Sequence, residues 1–130
     1  ENLRSIQEAL LLVITNSRGT AYRTFTGVNH PIRIYGKTGT AQNPGELPHA
    51  WFIGYTNHGN PNRPDIAIAV ILENLGDGSE FAAPVFRRLV DVYFYGSPQF
   101  KYDWETRVGE FNPEYFEPEE EDEGEGGGNP

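Results

Sequence analysis

A short apolar segment, Ile66 to Glu73, restricts the fold of this chain more than any other stretch. Its sequence, IAIAVILE, is short and almost continuously apolar, which predicts a central β-strand covered on both faces. Periodicity alone would also permit a buried helix. Two more strands are predicted before it, one from Ile32 to Tyr35 that runs into a glycine-flanked lysine, and one from Ala50 to Thr56. The polar turn NHGNPNRP between the last two strands favours antiparallel neighbours.

Helical patterns flank these strands. Leu3 to Ile14 has apolar residues three and four apart, and Ser79 to Tyr95 repeats that spacing with Ser79 as a predicted N-cap. The second helix is expected to carry Phe81, Val85, Leu89, Val92 and Tyr93 on its apolar side and Arg87, Arg88 and Asp91 largely on the other. The order helix, strand, strand, strand, helix predicts an α+β fold, three antiparallel strands with helices on one or both faces. So apolar a strand would need a further neighbour and more covering helix, which indicates a piece of a larger domain.

The chain has 130 residues, which suits one hydrophobic core. Three parts are predicted: a folded part over residues 1–96, an extended aromatic arm over 97–116, and an acidic Glu/Gly tail over 117–130. The arm is expected to pack on the body through Phe100, Tyr102 and Trp104. The tail combines like charge with glycine and cannot bury enough apolar area to order itself, so disorder is predicted there.

Charge and composition exclude several functions. The formal net charge is -9, but eight of the 19 acidic residues lie in Glu114 to Pro130, so the remainder carries 11 acidic against 10 basic groups. Such a body has no basic face for nucleic acid, and no nucleic-acid partner is expected. The chain has no cysteine and three histidines, His30, His49 and His58, with no carboxylate at ligand spacing, so neither a metal site nor a cofactor is expected.

The segment YGKTGTAQ contains the candidate site. Lys37 is one of only two lysines against eight arginines, and Gly36 and Gly39 remove side chains around it. In a strand, Lys37 and Gly39 would share one face while Thr38 and Thr40 share the other. The strand would therefore offer an ammonium group on one side and two hydroxyl groups on the other, beside an unhindered edge.

Here the sequence resembles a known family. GKTGTAQ is similar to the lysine-threonine-glycine motif of the serine acyl-transferases that react with β-lactams. RGTAYRTF, YGKTGTAQ, HAWFIGYT, DIAIAVILEN and AAPVFRRLVDVYF together resemble, in order, the C-terminal part of the transpeptidase domain of class B penicillin-binding proteins, elongation type. The resemblance covers about residues 2–96 and implies the C-terminal portion of the penicillin-binding-protein/β-lactamase-like fold.

The resemblance implies a role for each motif residue. Lys37 would hold positive charge in the cleft and bond the nucleophile network, and it is counted as catalytic with Thr40. Thr38 and Thr40 would bind the carboxylate of the substrate, and the backbone N–H of Thr40 would be one of two oxyanion donors. Gly39 would keep the edge clear, so that the substrate backbone can pair as an added strand.

The nucleophile motifs are absent from this chain. None of its four serines begins an S-x-x-K or S-x-N motif. In the family those motifs precede the K-T-G strand, so the upstream half of the same domain is expected to supply them, and this chain alone is expected to be inactive.

The implied activity is serine acyl transfer on the D-Ala-D-Ala end of a peptidoglycan stem peptide, with β-lactams as further ligands and other wall-synthesis proteins as possible partners. The implied location is the extracytoplasmic face of the cell membrane, with an N-terminal anchor helix outside this chain. Two alternatives stay open: a non-catalytic scaffold of the same fold, and a β-lactamase or β-lactam sensor.

Overall fold

The computed structural model describes residues 2–26 and 32–102 of the chain. The described residues up to Phe100 belong to one compact unit, and Lys101 and Tyr102 lie outside it. The elements in chain order are α1 (Asn2–Thr15), α2 (Tyr22–Phe25), β1 (Ile34–Ala41), β2 (His49–Thr56), β3 (Ala67–Leu72), a π-helical turn (Gly78–Ala82) and α3 (Ala83–Tyr95). The predicted α+β fold is confirmed. Trp104, most of the predicted arm and the whole acidic tail lie outside the described residues, and the division into three parts stays a prediction.

The three strands form an antiparallel meander in the order β1-β2-β3. In such a meander the middle strand of the sequence becomes the middle strand of the sheet, so β2 is central. β2 occupies the centre of the described sheet, and a central position of Ile66 to Glu73 in a larger domain stays a prediction. β3 lies at the edge among the described strands, and its Ile71 is 42% exposed. A continuous apolar sequence indicates that a strand needs to be buried, but it does not indicate the position of the strand in the sheet.

The core lies on one face of the sheet, where three aromatic rings meet. Phe52 in the centre of β2 is fully buried, and its ring centroid lies 6.0 Å from that of Phe25 and 4.7 Å from that of Phe86. Gly36 of β1 makes room for this cluster, because a Cβ atom there would lie 2.5 Å from the tip of the Phe52 ring. Each buried ring contributes on the order of 2–3 kcal/mol through removal of apolar surface from water. The cluster holds α2 and α3 against the sheet.

The opposite face of the sheet is largely open in the described residues. Tyr35 and Tyr55 stack there with ring centroids 4.9 Å apart and planes 5° from parallel, and Ile53 is 51% exposed. Leu10 of α1 closes one side of a cavity of about 380 Å³ over these residues. We call this surface, formed by Tyr35, Ile53, Tyr55, Ala67, Ala69 and Ile71, the outer sheet face.

Helix α3 begins differently from the prediction. Asp77, not Ser79, is the N-cap of the π-helical turn that leads into α3: its Oδ1 accepts a hydrogen bond from the backbone N–H of Ser79 at 2.6 Å. The five-residue π-turn Gly78–Ala82 then precedes the regular helix. The C-terminus agrees with the predicted stop, since Gly96 adopts a left-handed φ of 75° that suits glycine.

The predicted orientation of α3 was also wrong. Arg87 and Asp91 are 1% exposed, whereas Leu89 and Val92 are each 45% exposed. A π-turn contains more residues per turn than an α-helix, so it rotates the following helix relative to one that continues from Ser79. The buried stripe consequently runs through Phe86 and Val90.

Buried Arg87 ties three segments together. Its Nη1 donates to the backbone carbonyl of Thr24 in α2, and its guanidinium lies 4.7 Å from the centre of the Phe100 ring. Asp91, one helical turn later, accepts from the backbone N–H of Gln99 at 3.1 Å. Charged side chains are rarely buried unless they are paired or hydrogen-bonded. The two residues thus connect α2, α3 and the segment that follows α3.

Asp65 fastens the loop between β2 and β3. Its Oδ1 accepts from the Thr56 hydroxyl at 2.9 Å and from the backbone N–H of His58 at 2.6 Å, and its Oδ2 accepts from Gly59 N–H at 3.2 Å. The bond from His58, aided by those from Thr56 and Gly59, lowers the pKa of Asp65 below its ordinary value of 3.8. The ionised carboxylate is therefore favoured by the folded state.

A pH dependence of stability follows from Asp65. Because the folded-state pKa is lowered, the stabilisation is fully present above about pH 3.8 and is lost as the pH falls through the folded pKa. We expect Asp65→Asn to reduce the free energy of unfolding at pH 6. The difference in this free energy between the variant and wild type should become smaller as the pH falls toward 2. Urea unfolding of both proteins across this pH range measures the effect. A constant difference at every pH would show that the carboxylate charge is not involved.

Candidate functional site

The K-T-G segment lies within β1, at the edge of the sheet. Among the strands that the structure describes, β1 pairs only with β2, and Thr38 and Thr40 stand opposite Phe52 and Ala50. Lys37 is exposed while Thr38 is 8% exposed, so the two side chains point to opposite faces. The predicted separation of ammonium and hydroxyl groups is confirmed. Gly39, on the face of Lys37, has limited room, since a Cβ atom there would lie 3.2 Å from Cβ of Trp51.

The hydrogen-bond ladder determines which backbone groups face the open edge. The backbone N–H of Asn57 donates to the carbonyl of Arg33 at 2.8 Å, immediately before the continuous pairing of β1 with β2. In an antiparallel pair, alternate residues direct both backbone groups at the partner strand. Arg33 and every second residue after it face β2, so Thr38 and Thr40 direct their N–H and C=O groups outward. The hydrogen bond from Lys37 Nζ to the carbonyl of Thr38 is consistent with this alternation, because that carbonyl faces away from β2.

Thr38 is held by a second threonine. Its Oγ1 lies 2.7 Å from the Oγ1 of Thr20, in the turn before α2, and either hydroxyl can be the donor. If Thr20 donates, the proton of Thr38 stays available for another acceptor. Sequence reasoning did not assign Thr20 to the site, because the contact joins residues 18 positions apart.

Thr40 contacts the turn that precedes α3. Its hydroxyl donates to Oδ2 of Asp77 at 3.4 Å and accepts from the backbone N–H of Gly78 at 3.5 Å. Hydrogen bonds from the hydroxyl and N–H of Ser79, together with a smaller contribution from Thr40, lower the pKa of Asp77 below its ordinary value of 3.8. Asp77 is therefore a carboxylate at neutral pH.

Asp77 was not expected near the site. It is not among the site residues predicted from the sequence. Its contact with Thr40 spans 37 positions. The available signal was local: an Asp followed three residues later by Glu80 is typical of a helix N-cap. That signal predicts the cap and cannot predict what the cap residue touches across the sheet.

The loop between β1 and β2 is fastened to the end of β3. The Asn43 amide donates to Oε2 of Glu46 at 3.1 Å and to Oδ1 of Asn74 at 3.0 Å. Asn74 has a positive φ of 56°, and its backbone N–H donates to Nδ1 of His49 at 3.1 Å. These contacts fix the end of the K-T-G strand that lies nearest Thr40.

Two negative findings concern only residues 2–26 and 32–102. In this range no cluster of three or more histidine, aspartate or glutamate side chains is arranged to hold a metal ion. None of the helices in the same range has the length and apolar character required to cross a bilayer.

The arrangement suits the binding of an anionic or polarised acyl group at the strand edge. An ammonium group, a hydroxyl group and an outward backbone N–H lie within four consecutive residues, Lys37 to Thr40. Hydrogen-bond donors fixed in advance stabilise negative charge that develops on an oxygen during acyl transfer. The chain offers this group of donors without an S-x-x-K serine of its own.

Comparisons with known proteins agree with this geometry. The family model of the penicillin binding protein transpeptidase domain matches residues 1–91. The peptidoglycan D,D-transpeptidase MrdA of Haemophilus influenzae is 36% identical to the chain over a match that covers 62% of the chain and 14% of that relative's length. A crystal structure of Pseudomonas aeruginosa PBP2 in complex with WCK 5153 is 32% identical with a TM-score of 0.60, and the match covers 78% of this chain and 22% of that one.

The matches also bear on the resemblance seen in the sequence. The family model covers more than half of the chain and includes β1, β2, β3 and most of α3. Both relatives agree with the resemblance to class B proteins of the elongation type. The chain spans less than a quarter of either relative's length. The chain therefore belongs to the family of penicillin-binding-protein transpeptidase domains.

Proposed function

We propose that this chain supplies the K-T-G strand to the active site of a serine-type peptidoglycan D,D-transpeptidase. The observation that carries the proposal is the position of this strand. β1 is an edge strand of the described sheet, Lys37 is exposed, and the ladder alternation turns the N–H of Thr40 outward. Membership of the transpeptidase family supports the same reading.

In this proposal the backbone N–H of Thr40 is one of the two donors to the oxyanion of the tetrahedral intermediate. A donor of this type contributes about a hundred- to a thousandfold to turnover. Lys37 supplies positive charge beside it. The ammonium group bonds the hydroxyl network of the nucleophile and stabilises negative charge on the substrate.

Thr38 and Thr40 bind the substrate carboxylate in the same proposal. Thr40 is exposed, and its hydroxyl can donate to a substrate carboxylate once it turns its proton from Oδ2 of Asp77 to the ligand. Thr38 is buried, and it can donate its proton to a carboxylate only while the Thr20 hydroxyl donates to it. Gly39 leaves space for the peptide substrate to pair with the open edge as an added strand.

The nucleophile comes from an S-x-x-K segment upstream of this chain. Its serine attacks the carbonyl of the penultimate D-Ala, and the terminal D-Ala leaves as the amine after it receives a proton. The amine of a neighbouring stem peptide then attacks the ester, which forms the new amide bond and returns the serine hydroxyl. This chemistry belongs to the extracytoplasmic side of the membrane, where peptidoglycan is assembled. β-lactams are proposed to acylate the same serine.

Mass spectrometry of the intact protein and of its peptides tests the proposal. The polypeptide in which this chain follows its S-x-x-K and S-x-N segments is incubated with benzylpenicillin and digested after acylation. We expect the mass of one opened lactam on the S-x-x-K peptide and none on peptides of this chain. Replacement of the S-x-x-K serine with alanine is the control and should abolish the adduct. An unmodified protein would support the scaffold alternative, and rapid release of hydrolysed lactam would support a β-lactamase.

A further inference from the structure

The turn between β3 and α3 lies directly against the K-T-G strand. Gly78 is buried, and a Cβ atom at this position would lie 2.3 Å from the carbonyl oxygen of Gly39 and 2.2 Å from that of Trp51. Such distances are impossible for a real side chain without displacement of the backbone. Gly78 is therefore in close contact with the strand pair β1 and β2 at the level of Gly39.

This contact reaches the proposed oxyanion donor through one peptide group. The carbonyl of Gly39 and the N–H of Thr40 belong to the same planar peptide unit. The carbonyl side faces β2 and Gly78, and the N–H side faces the open edge. Because the unit is rigid, a contact that fixes the carbonyl of Gly39 also fixes the direction of the N–H of Thr40.

Asp77 holds the side chain of the same residue. Its Oδ2 accepts from the Thr40 hydroxyl at 3.4 Å, and the N–H of Gly78 donates to the Thr40 Oγ1 at 3.5 Å. Asp77 is itself held through Oδ1 by the N–H of Ser79 at 2.6 Å. The carbonyl of Ser79 accepts from the Thr24 hydroxyl at 3.3 Å, which connects the turn to α2.

We infer that Asp77 and Gly78 are positioning residues for acyl transfer, which orient the hydroxyl of Thr40 and the Gly39–Thr40 peptide without touching the substrate. The inference rests on the function proposed above. It assigns a purpose to a turn that lies 37 positions from the motif in the sequence. It also separates two tasks of Asp77, since one carboxylate oxygen caps the helix and the other holds Thr40.

Asp77→Asn separates these tasks. The asparagine Oδ1 can still accept from Ser79, so the cap is kept, whereas its amide NH₂ cannot accept from Thr40. In the polypeptide that carries the S-x-x-K segment, we expect the first-order acylation rate constant for a fluorescent penicillin to fall about three- to tenfold, as for loss of one hydrogen bond. Saturation kinetics separate this constant from the affinity of the noncovalent complex.

Asp65→Asn is the matched control. Asp65 is also an exposed carboxylate that accepts from backbone N–H groups of a loop, but its loop joins β2 to β3 and its partners include no K-T-G residue. We expect it to lower stability while the acylation rate constant stays within about twofold of wild type.

A double-mutant cycle with Thr40→Val gives the decisive readout. Valine removes the Thr40 hydroxyl and keeps its backbone N–H, so Asp77→Asn should cause no further decrease in that background. An equal decrease in both backgrounds, or none in either, would overturn the role of Asp77. If the wild type itself is not acylated, the proposed function fails. Gly78→Ala is expected to lower the acylation rate constant as well, and unchanged acylation would overturn the role of Gly78.

Discussion

Lys37→Ala is expected to reduce the acylation rate constant for a β-lactam by about a hundredfold or more, the scale found when a preorganised electrostatic donor is removed from an acyl-transfer site. The ammonium group lies on the exposed side of β1, where its described bond goes to the carbonyl of Thr38. Loss of the charge should therefore weaken stabilisation of the developing oxyanion and the bonding of the nucleophile. The measurement is stopped-flow acylation of the polypeptide that includes the S-x-x-K segment.

The fold should tolerate this substitution. Lys37 is exposed and does not belong to the aromatic core, and surface substitutions of this type usually change stability by less than about 0.5 kcal/mol. Lys101→Ala is the matched control, because Lys101 is the other lysine of the chain and is also exposed. Acylation of the Lys101 variant should equal that of wild type. Wild-type acylation by the Lys37 variant would contradict the proposed role of the K-T-G strand.

Arg87→Met should have the largest effect on stability, a loss of about 3–5 kcal/mol in the free energy of unfolding. Methionine fills a similar volume but cannot donate to the Thr24 carbonyl, and it removes the cation that lies one helical turn from buried Asp91. It also removes the guanidinium that packs on Phe100. Loss of a hydrogen bond to a buried carbonyl and loss of one charge from a pair of buried opposite charges are both costly. Urea denaturation at pH 7 measures the loss.

Arg4→Met is the control for Arg87. Arg4 also lies on a helix, but it is exposed, so its replacement should change the free energy of unfolding by less than about 0.5 kcal/mol. The double variant Arg87→Met/Asp91→Leu removes both buried charges and should recover part of the stability. Equal stability of the Arg87 and Arg4 variants would mean that the buried arginine makes no net contribution.

The sequence predicted the elements whose signals are local. The strand pattern placed β2 within one residue of its observed limits and β1 within two residues of its start, although β1 continues to Ala41, and glycine marked the end of α3 at Gly96. The division of Lys37 and Thr38 between two faces followed from the period of a strand. These features depend on neighbouring residues only, so they can be read from a single sequence.

The features that the sequence did not predict depend on long-range contacts. The burial of Arg87 depends on Thr24, which is 63 positions away. The edge position of β3 depends on the order of pairing, and the orientation of α3 depends on a π-turn that has no clear pattern in the sequence. The same limit applies at the site, where Asp77 contacts Thr40 because the tertiary fold brings the turn after β3 next to β1.

The outer sheet face has a practical consequence for any preparation of these residues by themselves. Ile53 is 51% and Ile71 is 42% exposed, and among the described strands β3 offers a neighbouring edge of high apolar content. Contiguous apolar surface beside an open strand edge is a template for pairing with a second chain. Expression of residues 1–130 alone would therefore favour self-association and inclusion bodies. Production together with a segment that covers this face would favour a monodisperse protein.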